Sequence, residues 1–139
     1  MKKIPKSVLI IIYTKNKDVL LLKKKNYKDM WQSVTGSLLQ NEEPIDAAKR
    51  ELYEETGIKS EKIIDCKKEN VFEIYKIWKH KYGNDVTHNI EYVFKLELND
   101  IVKIKIDNNE HDSYKWMPRV KAAEEVFSHT NRQAIFDLT

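Results

Sequence analysis

One cysteine, Cys66, stands among 139 residues. That excludes an intrachain disulfide and fits a reducing compartment. With no His or Cys partner near it in sequence, Cys66 is expected to be a buried, inert thiol. Long apolar runs are also missing. The strongest, Val8 to Tyr13, falls far short of the roughly twenty residues that span a bilayer. The N-terminal stretch lacks both the apolar length and the small-residue cleavage site of a secretory signal. Only three glycines and three prolines occur, and there is no repeat, low-complexity segment or linker. The expectation is one domain over residues 1–139. Nor is there much charge of one sign: 25 Lys and Arg against 22 Asp and Glu leave a net charge of +3. That suits an anionic small molecule and falls well below the basic density of a dedicated nucleic-acid binder. These absences together predict a cytoplasmic protein with no nucleic-acid or membrane partner and no obligate protein partner.

What is present reads as alternating strands and helices. The β-branched run Val8–Tyr13, the polar Thr14–Asp18 and the second run Val19–Leu22 predict a strand, a turn and a returning strand. Trp31–Gly36 predicts a short strand entering a loop. Pro44 suits the first turn of a helix, and Ile45, Ala48 and Leu52 give that helix one apolar stripe. Gly57 is the residue type expected just past its end. Further strands are predicted at Glu61–Cys66, Asn70–Trp78, Ile90–Leu98 and Ser113–Met117. In Ile90–Leu98 the pattern sets Tyr92, Phe94, Leu96 and Leu98 on one face, and Glu91, Val93, Lys95 and Glu97 on the other. Pro118 ends the last strand, and Lys121–Phe127 and Asn131–Leu138 read as helical. This order predicts an α/β sandwich with helices covering a mixed sheet.

The predicted helix over 44–56 carries the chemistry. Glu51, Glu54 and Glu55 fall at i, i+3 and i+4, so three like charges crowd one helical face. Such a face can be simply solvated. It can also be relieved by the adjacent Arg50, whose fork can pair a carboxylate bidentately, or by a hard divalent cation. Mg²⁺ takes oxygen ligands and typically joins a few carboxylates to substrate phosphates.

The spacing around these residues favours the cation. From Gly36 through Glu42, Arg50, Glu51, Glu54, Glu55 and Gly57 to Ile58, the chain meets the pattern G-x5-E-x7-R-E-U-x-E-E-x-G-U at every fixed position, with Leu52 and Ile58 in the apolar places U. It therefore resembles the Nudix hydrolases. The resemblance implies an α/β/α sandwich with a mixed β-sheet and a catalytic loop-helix-loop. It implies Mg²⁺, with Mn²⁺ as a substitute, held by Glu51, Glu54 and Glu55 and by the Gly36 carbonyl. Arg50 would orient a glutamate, and Glu42 would support the loop. The reaction would be attack by water on phosphorus in a diphosphate linkage, with a carboxylate collecting the proton.

The flanking segments, including Trp31–Ser37, Phe72–Tyr75, Val86–Glu91, Glu110-His111 and Asn131–Ile135, resemble one branch of this family, the dihydroneopterin triphosphate pyrophosphatases of bacterial folate biosynthesis. That branch implies a small-molecule triphosphate substrate, cut to a monophosphate and pyrophosphate. Lys3, Lys24, Thr35, Phe72, Glu73, Ile74, Tyr75 and Ser128 match substrate-binding positions. Glu110 matches a loop glutamate that completes the metal site and can act as a base. Taken singly, these are also ordinary surface lysines, strand residues, a loop carboxylate and, in Ser128, a helix cap. Lys24 and Lys81 stand where the branch leads one to expect arginine, and lysine lacks arginine's bidentate fork. His88 replaces a permanently charged residue, so any contact it makes would depend on pH. Two other readings compete: a Nudix hydrolase for (d)NTPs or dinucleoside polyphosphates, and a Nudix-fold binding module without catalysis. The intact glutamates argue against the second. Lys23-Lys24-Lys25 alone, without aromatic partners, does not make an RNA-binding motif.

Overall fold

A computed structural model describes residues 2–139. In chain order the elements are β1 (Lys6–Thr14), β2 (Asp18–Lys24), β3 (Trp31–Gln32), β4 (Val34–Ser37), α1 (Pro44–Thr56), β5 (Ile64–Glu73), β6 (His88–Leu98), β7 (His111–Pro118), α2 (Arg119–Glu125) and α3 (His129–Phe136). A 3-10 turn at Lys76–Lys81 joins β5 to β6. Among the described residues no helix is long and apolar enough to cross a membrane.

All seven strands belong to one mixed sheet with a backbone order β3-β2-β1-β6-β5; β4 adds to β1 and β7 to β2. The β1–β6 pair is parallel, from Lys6 opposite Ile90 to Thr14 opposite Leu98. The other pairings are antiparallel. β1 is apolar at consecutive positions because both of its faces are covered. Val8, Ile10 and Ile12 pack with Ala47, Ala48 and Leu52 of α1. Leu9, Ile11 and Tyr13 pack with Ala122 and Ala123 of α2 and Ile135 of α3. Each large aliphatic side chain so buried contributes about 1.5–3 kcal/mol of transfer free energy.

The sheet splits where the site forms. β1 and β2 pair at Tyr13 opposite Val19, beside their turn, and then diverge. β4 runs along β1, from Ser7 opposite Ser37 to Ile10 opposite Val34, while β3 pairs with β2 at Leu22 and Lys23. The single strand expected over Trp31–Gly36 is therefore two, broken at Ser33 as the chain passes from one leg of the split to the other. Ser33 is buried, and its backbone N–H donates to Asn131 Oδ1 at 2.9 Å, which ties the break to α3.

Three other expectations shift. Glu61–Cys66 and Asn70–Trp78 are not two strands. One strand, β5, runs through Ile64–Glu73 with a register irregularity between Asp65 and Lys68 and a positive φ of 53° at Lys67. Two extra residues, Cys66 and Lys67, bend the strand without ending it, and Trp78 lies beyond it in the 3-10 turn. The last two helices each begin two residues earlier than expected and end two residues earlier. Cys66 is half-buried against the α2/α3 layer rather than fully enclosed. Burial pushes its thiol up, away from the reactive thiolate.

Candidate active site

Local sequence rules build α1 and aim its acidic face. Pro44 occupies the first turn, and Gly57 closes the helix in the left-handed region at φ 79°, its N–H donating to the Tyr53 carbonyl at 2.8 Å. Arg50 organises the charges. Its Nε and Nη2 donate to the two carboxylate oxygens of Glu42, each at 2.9 Å, and Nη2 also reaches the Ser37 carbonyl at 3.0 Å. Its Nη1 donates to Glu51 at 2.8 Å and to Glu54 at 3.2 Å. Glu42 in turn accepts the Leu39 N–H at 2.9 Å. The Arg50 hydrogen bonds hold the Glu42 carboxyl below the usual range, against the opposing effect of burial.

Glu51 is 8% exposed. Burial pushes its pKa up to about 7, Arg50 opposes this, and the negative charges of Glu55 and Glu54 add to the rise. Its carboxylate lies against the backbone of Gly36, where a Cβ would fall 2.2 Å from Glu51 Cδ. Only a residue without a side chain leaves that space. Glu55 is also buried, with Oε2 standing 2.6 Å from His111 Nδ1. That approach misses the angles of a hydrogen bond, and both atoms are otherwise unpartnered among the described residues.

These groups line one end of a cleft of about 580 Å³ that opens at the split in the sheet. Arg50, Glu51, Glu54, Glu55, Asp107, Glu110 and His111 stand at the acidic end. Lys2, Lys3, Lys24 and Lys81 also line the cleft. Lys3 is open to solvent at its surface, yet crowding around its amine lowers its pKa, and the charges of Lys81 and Lys24 lower it further. Such mutual repulsion is relieved by an anion. The remaining wall is aromatic: Phe72, Tyr75, Trp78 and Phe127. Tyr75 packs against Trp78 edge-on at 5.6 Å and against Phe127 at 5.1 Å, and Lys24 Nζ lies 5.6 Å over the Trp78 ring. A second hollow, of about 510 Å³ between β5 and α3, holds none of the α1 glutamates.

The family model of the NUDIX domain matches residues 3–138. The chain belongs to the Nudix family. It is 40% identical to the dihydroneopterin triphosphate diphosphatase of Escherichia coli K12, over 94% of this chain and 89% of that protein. It is 36% identical to the protein of the same name in Haemophilus influenzae, over 93% of this chain and 84% of the other. The solved structure of the E. coli dihydroneopterin triphosphate pyrophosphohydrolase superposes with a TM-score of 0.90 at 39% identity, covering 97% of this chain and 94% of that one.

Nudix hydrolases generally need divalent metal ions, and the side chains here fit one. Glu51 is pressed against a glycine that leaves room for its carboxylate, and Glu55 Oε2 is a buried oxygen without a hydrogen-bond donor. Both are the hard oxygen ligands such ions take. Among the described residues no three side chains already converge as a metal cage. Arg50 holds Glu51 and Glu54, and Glu55 stands against His111. A cation would draw the glutamates off these partners.

Of the residues singled out from the sequence, Gly36, Arg50, Glu51, Glu54, Glu55, Glu110, Lys3, Lys24, Thr35, Phe72, Ile74, Tyr75 and Ser128 all line this Nudix cleft. Glu73 does not: it is exposed, because strand alternation turns it away from the wall that Phe72 and Ile74 form. His88 is exposed beside Thr87 and lies outside the cleft as well. Ser128 both lines the cleft and caps α3, accepting the Asn131 N–H at 3.2 Å. Sequence reading passed over Trp78, Asn89 and Glu91 as cleft residues, and gave His111 no role. In the sequence, the signal for Asn89 and Glu91 was polar residues alternating through an otherwise apolar strand.

Proposed function

We propose that this chain is a Mg²⁺-dependent pyrophosphohydrolase that cuts dihydroneopterin triphosphate to dihydroneopterin monophosphate and pyrophosphate. One observation carries the reading: a single cleft joins an acidic face, a set of lysines and an aromatic wall. A triphosphate tethered to a flat heterocycle needs those three surfaces together. The relatives with 36–40% identity are named for that substrate.

Lys3, Lys24 and Lys81 bind the phosphate oxygens and lose their mutual repulsion in doing so. Phe72, Tyr75, Trp78 and Phe127 exclude water around the heterocycle and offer it ring faces. Glu51, Glu54 and Glu55, with the Gly36 carbonyl, would hold the metal. When bound, the metal supplies charge neutralisation at phosphorus and acidifies the attacking water. Arg50 holds Glu51 and Glu54 until the metal takes them, and ties the helix to the loop through Glu42. Glu54, 49% exposed at its side chain, takes the proton of the attacking water. Glu110 adds a second carboxylate from the turn before β7. The reading carries a cytoplasmic enzyme with it, acting on a small molecule without a protein partner.

The test is a panel of dihydroneopterin triphosphate, dNTPs and dinucleoside polyphosphates, incubated with Mg²⁺ and assayed for pyrophosphate and phosphate. Fastest pyrophosphate release from the pterin, abolished by Glu54→Gln, is the expected result. A nucleotide winning the panel would leave the chemistry in place and overturn the substrate.

A further inference from the structure

Asn89 is a buried polar side chain to which the chemistry above gives no task. It lies on β6, 3% exposed, and lines the cleft. Its amide nitrogen donates to Ser7 Oγ at 2.8 Å. Its Oδ1 then has no partner among the described residues. A buried acceptor left unmet is costly to a fold.

Its neighbours say what would meet it. Asn89 stands directly opposite Phe72 in the β5–β6 register, so it belongs to the aromatic wall and not to the acidic end. Glu91, two residues along on the same face, is already engaged: Asn70 Nδ2 donates to it at 3.2 Å. Asn89 Oδ1 is therefore a buried acceptor without a partner, beside a wall of rings. A flat heterocycle lying among those rings presents an edge to β6, and an N–H on that edge would satisfy the amide oxygen.

We propose that Asn89 Oδ1 selects the heterocycle, accepting a hydrogen bond from a ring N–H or amino group of a 2-amino-4-oxopyrimidine edge, the edge that pterins and guanine share. This rests on the proposed function only in assuming that the aromatic wall holds the heterocycle of a triphosphate. Ser7 is a positioning residue: its hydroxyl engages the amide nitrogen, and the oxygen is left without a partner.

The test compares kcat/KM for dihydroneopterin triphosphate, GTP and purine ribonucleoside triphosphate, whose six-membered ring bears no N–H. Wild type, Asn89→Leu and Asn89→Asp are assayed with Mg²⁺. The wild type should favour the two donor-bearing substrates. Asn89→Leu should lower kcat/KM for them roughly 10- to 100-fold, the usual scale for one buried hydrogen bond left unmade. The donor-free substrate should change little, and Asn89→Asp should keep the preference. In EDTA, phosphate-free 7,8-dihydroneopterin should quench the tryptophan fluorescence of wild type and Asn89→Asp, and not of Asn89→Leu. A folded Asn89→Leu protein that keeps the wild-type preference overturns the proposal. Should Asn89→Leu fail to fold, Ser7→Ala reads the same ratio: a several-fold fall supports the role and an unchanged ratio refutes it. A wild type that ignores the pterin while Asn89→Leu still collapses the ratio of GTP to the donor-free nucleotide would sink the proposed substrate and leave this assignment standing. No preference between those two nucleotides in a wild type that cleaves both would sink the assignment itself.

Discussion

Replacing Gly36 by alanine adds one methyl group where the structure has no room for it. The new Cβ would lie 2.2 Å from Glu51 Cδ and 2.3 and 2.5 Å from its two oxygens. Ordinary contact begins near 3.4 Å, so the carboxylate must retreat by about an ångström. Gly36 itself does not occupy the left-handed backbone region; space, not backbone freedom, is what the position needs. The atoms that must move are the end of a flexible side chain, so global stability should fall by no more than about 1–2 kcal/mol, the usual range for a single substitution. The site should suffer far more, since a displacement near 1 Å in a reacting constellation costs about 10²-fold in rate. Pyrophosphate release should drop by that factor and the Mg²⁺ concentration for half-maximal activity should rise, while a urea melt shows a folded protein. Pairing Gly36→Ala with Glu51→Gln gives a cycle: if the methyl acts through Glu51, the two losses will be strongly non-additive. A Gly36→Ala enzyme within threefold of wild type at every Mg²⁺ concentration would refute the argument.

Arg50→Lys should keep a positive charge yet lose most activity, because an ammonium cannot donate to both Glu42 oxygens, Glu51 and Glu54 together. Steady-state kinetics with a melting curve will show whether catalysis falls further than stability. Gly57→Ala forces a side chain into the left-handed region with Lys105 Cβ 3.3 Å from the new methyl, and should cost about 1–2 kcal/mol in urea unfolding. Glu91 tests pH. Burial raises its pKa in the folded state above the ordinary 4.5, so the folded protein holds a proton that the unfolded chain releases. Its contribution to stability is complete below 4.5 and declines as pH rises from there through the folded value. The stability of Glu91→Gln relative to wild type should therefore rise with pH from 4.5 upward, as read by denaturant midpoints at successive pH values. A difference that does not vary with pH would contradict it.

The acidic end of the cleft was legible in the sequence because it is local. The spacing of Glu51, Glu54 and Glu55 on one helix, closed by Pro44 and Gly57, needs no tertiary information. The aromatic end is assembled from β5, the 3-10 turn, β6 and the approach to α3, so no local pattern describes it. The alternation that sets Glu91, Val93, Lys95 and Glu97 on one face of β6 does not say what covers that face; α3 packs over the part around Val93, and Glu91 is buried with Asn89 beside the cleft. The bulge at Lys67 was invisible for the same reason. What holds β5 together there is its pairing with β6, while the sequence on either side looks like two strands with a break between them.

The parallel pairing of β1 with β6 also governs how the molecule is made. Lys6 must wait for Ile90 before the two strands can zip together, and chains that depend on such distant contacts fold slowly. At a synthesis rate of about 5–20 residues per second, the nascent β1 spends several seconds with its partner still inside the ribosome. Throughout that time it is a run of aliphatic side chains meant to be covered on both faces. This favours early shelter by a chaperone, and makes β1 a segment through which newly made copies are prone to stick to one another.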